Sequence, residues 1–271
     1  MASRVRDYGG RSAPVPRVRR CGAAIMSETQ TTGEKIAKVI ARAGLCSRRD
    51  AEVWVRAGRV AVNGVSADTP AIRVVESDIV TVDGVALPEH QRTRLWRYHK
   101  PHGLVTSHRD PQNRPTVFER LPAGMGRVIS IGRLDITSEG LLLLTNDGVL
   151  ARRLELPATA WTRRYRVRAH GKVDADACAQ LAGGLTLDGI RYGPIEASID
   201  RVQGSNVWMS VSIKEGKNRE VRKVLAHLDL EVNRLIRIAF GPFQLGRLPR
   251  GAVDEISGKV LRDQLGDKLK A

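Results

Sequence analysis

The chain has 271 residues, 42% of them hydrophobic, and a formal net charge of +16 with an isoelectric point near 10.5. That length holds two domains or one large one, and the basic excess points to a polyanionic partner, bound through counterion release from a phosphate backbone. No apolar stretch reaches the ~18 residues of a spanning helix, no basic amphipathic helix stands out for a membrane surface, and Cys21, Cys46 and Cys178, without CxxC spacing, fit a reducing cytosol rather than a disulfide framework or thiolate zinc site.

Residues 1–33 are dominated by Arg, Gly, Pro, Ser and Thr without periodicity, and read as a disordered basic extension. They lack both the apolar core of a signal peptide and the amphipathic face of a transit peptide. Met26 reads as the natural start, with residues 1–25 an upstream extension. Residues 34–92 read as a compact module. Ile36, Val39 and Ile40 have helical spacing up to Gly44. Ser47 with Asp50 three residues later forms a capping-box-like start to a second helix, which ends at Gly58. Arg59–Val62 and Asp78–Val82 are strands, followed by the turn pairs Asn63-Gly64 and Asp83-Gly84. Basic residues, among them Arg48, Arg49 and Arg59, precede the hairpin and acids follow it, which favours an RNA-contacting face on the basic side.

This pattern of two helices, a Gly-Arg-Val-x-Val-Asn-Gly hairpin and a Val-x-Val-Asp-Gly strand resembles the alpha-L RNA-binding domain over residues 34–85. A polar linker follows. From residue 93 to 258 strands and helices mix in an α+β manner. The expected strands are Leu95–Lys100, Leu104–Ser107, Val128–Ile131, Leu141–Thr145, Arg164–Ala169, Val207–Ile213 and Val232–Ile238. The expected helices are Thr116–Leu121, Val149–Glu155, Asp174–Leu181 and Asn218–His227. Residues 259–271 read as a polar tail with a loose terminal helix. Charge is uneven: residues 34–92 carry nine basic and eight acidic side chains, whereas residues 93–271 carry thirty and nineteen, a net +11. Aromatic residues make up only 4% of the chain, which disfavours a stacking platform for single strands and favours backbone and shape recognition of a folded stem-loop.

Between Gly132 and Leu144 an aspartate, Asp135, stands in a turn bounded by glycines next to Arg133, ahead of an apolar run. Standard signatures fail here. Asp135-Ile136-Thr137 lacks the second acid of an aspartyl-phosphate enzyme, and Ser138-Glu139-Gly140 lacks the first glycine of a nucleophile elbow. Gly124-Met125-Gly126 is no dinucleotide fingerprint. His99, His102 and His108 match no zinc spacing, so no metal or cofactor is expected. What remains is one aspartate, several arginines and a tyrosine. On residue chemistry alone Asp135 is equally a turn residue capping its own backbone. Tyr165 then reads as a cross-strand aromatic, and Arg222 equally as one more basic helix residue or as a site residue.

Four ordered segments resemble the bacterial ribosomal RNA pseudouridine synthases that carry an alpha-L domain. They are Tyr98–Ser107 followed by Asp110-Pro111 and Arg114-Pro115-Thr116-Val117; Gly132–Gly148; Arg164-Tyr165-Arg166-Val167; and Glu215–Lys223 followed by Arg234–Arg237 and Gly241-Pro242. The resemblance spans residues 34–258, with Glu220 where many relatives have glutamine. It implies a catalytic domain built on a mixed, largely antiparallel sheet with flanking helices. It also implies isomerisation of a uridine to pseudouridine in ribosomal RNA, more like the large-subunit (23S) branch than the small-subunit (16S) branch. By position, Asp135 is the essential carboxylate, Tyr165 lies against the uracil and Arg222 pairs with Asp135. Arg133 fills the gap left by the flipped nucleotide, and Lys100, Arg114, Lys217, Asn218 and Arg219 contact RNA. The reading is a monomeric, cytoplasmic enzyme. A non-catalytic RNA-binding ribosome-assembly factor is the rival from another class.

Overall fold

The computed structural model describes residues 33–89, 91–156 and 159–266. The expectations for residues 1–32, Met26 included, lie outside the described residues. The first module comprises β1 (Glu34–Lys35), α1 (Ile36–Arg42), α2 (Arg48–Arg56), β2 (Val60–Val62), β3 (Val65–Ser66), β4 (Arg73–Val74), β5 (Val80–Val82) and β6 (Val85–Ala86). Ser47 and Asp50 form the expected reciprocal capping box at the start of α2. Asn63 and Gly64 have φ values of 51° and 82°, and Asp83 and Gly84 of 50° and 80°. Left-handed pairs of this kind close the two-residue hairpins β2–β3 and β5–β6. The antiparallel order is β3-β2-β5-β6, and β1 pairs with β4. Ile36, Ile40, Ala51, Val55, Val60 and Val80 form this module's own core.

The larger unit contains β7 (Leu95–Lys100), β8 (Ile129–Ile131), β9 (Ser138–Thr145), α3 (Gly148–Glu155), β10 (Arg163–His170), α4 (Ala175–Gln180), β11 (Leu185–Leu187) and β12 (Ile190–Tyr192). Then come β13 (Ile195–Gln203), β14 (Asn206–Ile213), α5 (Glu220–His227), β15 (Glu231–Phe240), β16 (Phe243–Gln244), β17 (Val253–Ile256) and α6 (Gly258–Leu265). Its main sheet runs β13-β14-β10-β15-β9-β7-β17, with β16 on β15 and β8 on β9. Every pairing is antiparallel except β9–β15, as expected of a mixed, largely antiparallel sheet. The leucine run of β9 shows why it sits centrally. Leu142 and Leu144 join one core with Trp96, Tyr98, Tyr165 and Val167. Leu141 and Leu143 join another with Leu95, Ile131, Leu150 and Phe240. A strand covered on both faces reads as a continuous apolar run.

Several expectations change. Leu104–Ser107 is not a strand; Val105 makes one isolated bridge to Thr116. Thr116–Leu121 shortens to a 3-10 turn at Phe118–Arg120. Over its described residues the tail after Gly258 is not loose: α6 buries Leu261 and Leu265 in the core shared with Leu141 and Leu143. The two units touch where Arg109 pairs with Asp50 at 3.3 Å.

Candidate active site

The turn between β8 and β9 carries Asp135. Gly132, at φ 68°, starts it, and its N–H donates to Glu155 Oε1 at 2.6 Å. Leu134 is buried and anchors the turn in the core. The carbonyls that follow are each held from outside. Thr106 Oγ1 donates to Leu134 O at 2.8 Å, and Gly103 N to Ile136 O at 2.8 Å. Arg222 Nη2 donates to Thr137 O at 3.0 Å. Lys100 Nζ donates to Asp135 O at 3.1 Å and to Ser138 O at 2.8 Å. Gly140, at φ 103°, lets β9 and β15 meet: a Cβ there would lie 2.3 Å from Arg237 O. With its main chain held this way, Asp135 turns a partly exposed carboxylate into an open cleft of about 840 Å³.

Across that cleft lie Tyr165 from β10 and the loop Gly216–Arg219 ahead of α5. Arg219 adopts φ 52°, a left-handed conformation uncommon outside glycine. Its Nη1 lies 3.8 Å from Asp135 Oδ2. Tyr165 is buried in the larger core and pairs across the ladder with Arg237. Arg163, Arg237 and Phe240 line the cleft as well. Burial pushes the Arg163 and Arg237 cations below their usual range, and Tyr165 opposes this in both. Burial likewise pushes Glu220 up; its Oε2 accepts from Lys217 N at 2.9 Å, which counters the shift.

Of the residues singled out from sequence, Asp135, Tyr165, Arg133, Arg114, Lys217, Asn218 and Arg219 share the cleft. Arg114 is gripped by Asp110, whose carboxyl it brings down to about 2. Lys217 folds back, donating to Arg191 O at 2.7 Å and pairing with Glu215. Two expectations are corrected. Arg222 does not make a direct pair with Asp135: its hydrogen bonds go to Val232 O and Thr137 O, and the ion pair of Asp135 is with Arg219. Arg222 stands behind the turn, close enough for the Asp135 charge to oppose the lowering that burial and Arg219 impose on it. Lys100 is no RNA contact. It is fully buried, and burial lowers it to about 8 against the opposing charges of Asp135 and Glu139.

In the first module Arg48 and Arg49 are exposed on α2. Arg59 is tied to Asp83 and lies over the Trp54 ring. Sequence reading missed Arg163, Glu220, Thr106 and Arg237 as cleft residues. The signal for Arg237 was an arginine within the apolar stretch Leu235–Phe240. Among the described residues no group of three His, Cys, Asp or Glu is placed to hold a metal ion, and no helix is long and apolar enough to cross a membrane.

Comparison with known proteins matches the RNA pseudouridylate synthase family over residues 94–227 and the S4 domain over residues 34–80. An RNA pseudouridine synthase of Rickettsia felis is 47% identical over 228 residues, covering 84% of this chain and 99% of the relative. One from Rickettsia prowazekii is 46% identical, covering 85% and 97%. Ribosomal large subunit pseudouridine synthase B of Yersinia pestis is 40% identical, covering 84% and 74%. A crystal structure of a pseudouridylate synthase aligns with a TM-score of 0.60 at 24% identity, over 86% of this chain and all of that one, a likeness of fold.

Proposed function

We propose that this chain, which belongs to the RNA pseudouridylate synthase family and is an isomerase acting on RNA, converts one uridine of 23S ribosomal RNA to pseudouridine in the cytoplasm, as a monomer. The observation that carries the reading is Asp135, whose backbone is clamped while its carboxylate faces a cleft shared with Tyr165. The large-subunit target is supported by the Yersinia relative, whose name states it.

In this reading the target nucleotide flips out of a stem-loop, which costs a few kcal/mol, and exposed Arg133 stacks in its place. Asp135 acts at the ribose C1′, by attack or by assisting an elimination, while the uracil lies on Tyr165. Arg222 serves through the turn backbone. Arg219 neutralises Asp135 until a phosphate competes for its guanidinium, and Asn218 adds a polar contact at the same mouth. The module of residues 34–92, with Arg48 and Arg49 outward, supplies affinity to the unit of residues 93–258.

The test uses ribosomal RNA from cells lacking the gene, incubated with purified protein and mapped for pseudouridine. One new pseudouridine in 23S RNA is expected. Modification confined to 16S RNA would replace the target, and none in either would return the chain to the class of binding factors.

A further inference from the structure

Tyr165 and Arg237 are cross-strand partners of β10 and β15 beside the cleft. Arg237 is 2% exposed. Its Nε donates to Leu141 O at 2.7 Å, and its Nη2 is buried without a partner. Arg163 stands beside it, with Nη1 donating to Lys214 O at 2.7 Å. The guanidinium carbons of Arg163 and Arg237 lie 4.9 and 5.3 Å from the centre of the same Phe240 ring. The charge of Arg163 adds to burial in disfavouring the Arg237 cation. Among the described residues, the one carboxylate whose charge favours either is Glu220, acting on Arg163. A buried cation beside a half-buried one, without a close counter-charge, is costly. The two put positive charge on the cleft wall beside Tyr165, to which Arg237 is also hydrogen-bonded, and they leave Arg237 Nη2 with an unused donor.

We infer that Arg237 and Arg163 stabilise the negative charge on uracil between its detachment from the ribose and its return. The inference rests on the isomerase reading. When N1–C1′ breaks, the electron pair stays with the base, and its charge spreads over N1, O2 and O4. The sugar's deficit is met by a bond to the Asp135 carboxylate or by loss of the C2′ proton. C5 then gives a pair to C1′, releasing the carboxylate or restoring the C2′ proton. The C5 proton is lost and N1 gains one, so the product is an isomer. Fixed donors aimed at a transient anion act as an oxyanion hole does, because they need no reorganisation when the charge develops.

The experiment compares RNA carrying uridine with RNA carrying 5-fluorouridine at the target, read as single-turnover loss of the starting nucleotide. Fluorine withdraws electrons, so that base stabilises its own anion. Arg237→Met should slow the uridine reaction about 100-fold, with RNA KM within about threefold and Arg237→Lys recovering part of the rate. The deficit should shrink at least about fivefold on 5-fluorouridine RNA. Equal deficits on both substrates, with lysine no better than methionine, would overturn the inference. Arg163→Gln, at a half-buried position, is read the same way and decides the matter if Arg237→Met fails to fold. An unaltered protein that makes no pseudouridine would overturn the isomerase reading and this inference together. An active protein with substrate-independent deficits overturns this inference alone.

Discussion

The Nζ of Lys100, with no solvent exposure, donates to the main-chain carbonyl of Asp135 at 3.1 Å. It is one of a set of outside donors that hold each carbonyl from Leu134 to Ser138. The charge of Lys100 therefore serves geometry, and its lowering to about 8 has two opposed consequences. The folded state binds fewer protons than the unfolded between about 8 and 10.5, so this group's contribution to stability is lowest below that window and rises with pH across it. Activity moves the other way. A neutral amine has two donors for the three carbonyls it now serves, so kcat should fall as pH rises through about 8. Lys100→Met should remove both slopes. Parallel kcat–pH profiles for the two proteins would contradict the assignment.

Asp135→Asn keeps the side-chain volume and leaves the main-chain clamp untouched. RNA affinity should stay within about threefold, while pseudouridine formation falls by about 10⁴-fold or more. Filter binding and product mapping on the same preparations separate the two, and residual turnover near the unaltered rate would remove Asp135 from the chemistry.

Arg48 and Arg49 project from α2 into solvent, whereas Arg59 is committed to Asp83. Replacing Arg48 and Arg49 by alanine should flatten the log Kd against log salt slope by about 1.5, at roughly 0.7–0.9 per phosphate contact. Single-turnover rates at saturating RNA should not change. Arg59→Ala should lower the module's thermal stability more than it alters the salt slope.

Gly140 has no room for a side chain, because the β15 backbone at Arg237 occupies the Cβ position. Gly140→Ala should destabilise by about 2–5 kcal/mol from strain and overpacking together, read as a lower urea midpoint. A midpoint unchanged within error would mean that the parallel β9–β15 contact is not as close as described.

Leu261 is 5% exposed and lies in the core that holds Leu141 and Leu143. Leu261→Ala should cost about 2–4 kcal/mol by chemical denaturation, and deleting residues 258–271 should cost more. Loss of less than about 0.5 kcal/mol, the range of surface substitutions, would restore the loose-tail reading.

Elements with strong local signals were legible in the chain. The Ser47–Asp50 box, the Asn63-Gly64 and Asp83-Gly84 hairpins and the strands around Leu95, Leu141 and Val207 stand where sequence placed them. β13, β17 and the β11–β12 hairpin escaped. β13 is an edge strand with a largely exposed, polar pattern, and β17 has two acids in four residues. β17 lacks the alternation that marks a half-buried strand; β13 carries it only over Ile195–Asp200, where Ile195, Ala197 and Ile199 face the core, and loses it from Arg201 on.

The sequence by itself determined the two modules, the basic partner surface and the identity of Asp135, because each depends on residue type, local turn chemistry and motif order. Tertiary structure decided which charges meet. Arg219 rather than Arg222 pairs with Asp135, Lys100 turns inward, and Arg163 and Arg237 come together beside Tyr165. The physical reason is that a guanidinium or ammonium reaches many partners along its flexible stem. Burial against elements distant in sequence, β9 against β15 and α5 behind the Asp135 turn, selects the partner it keeps.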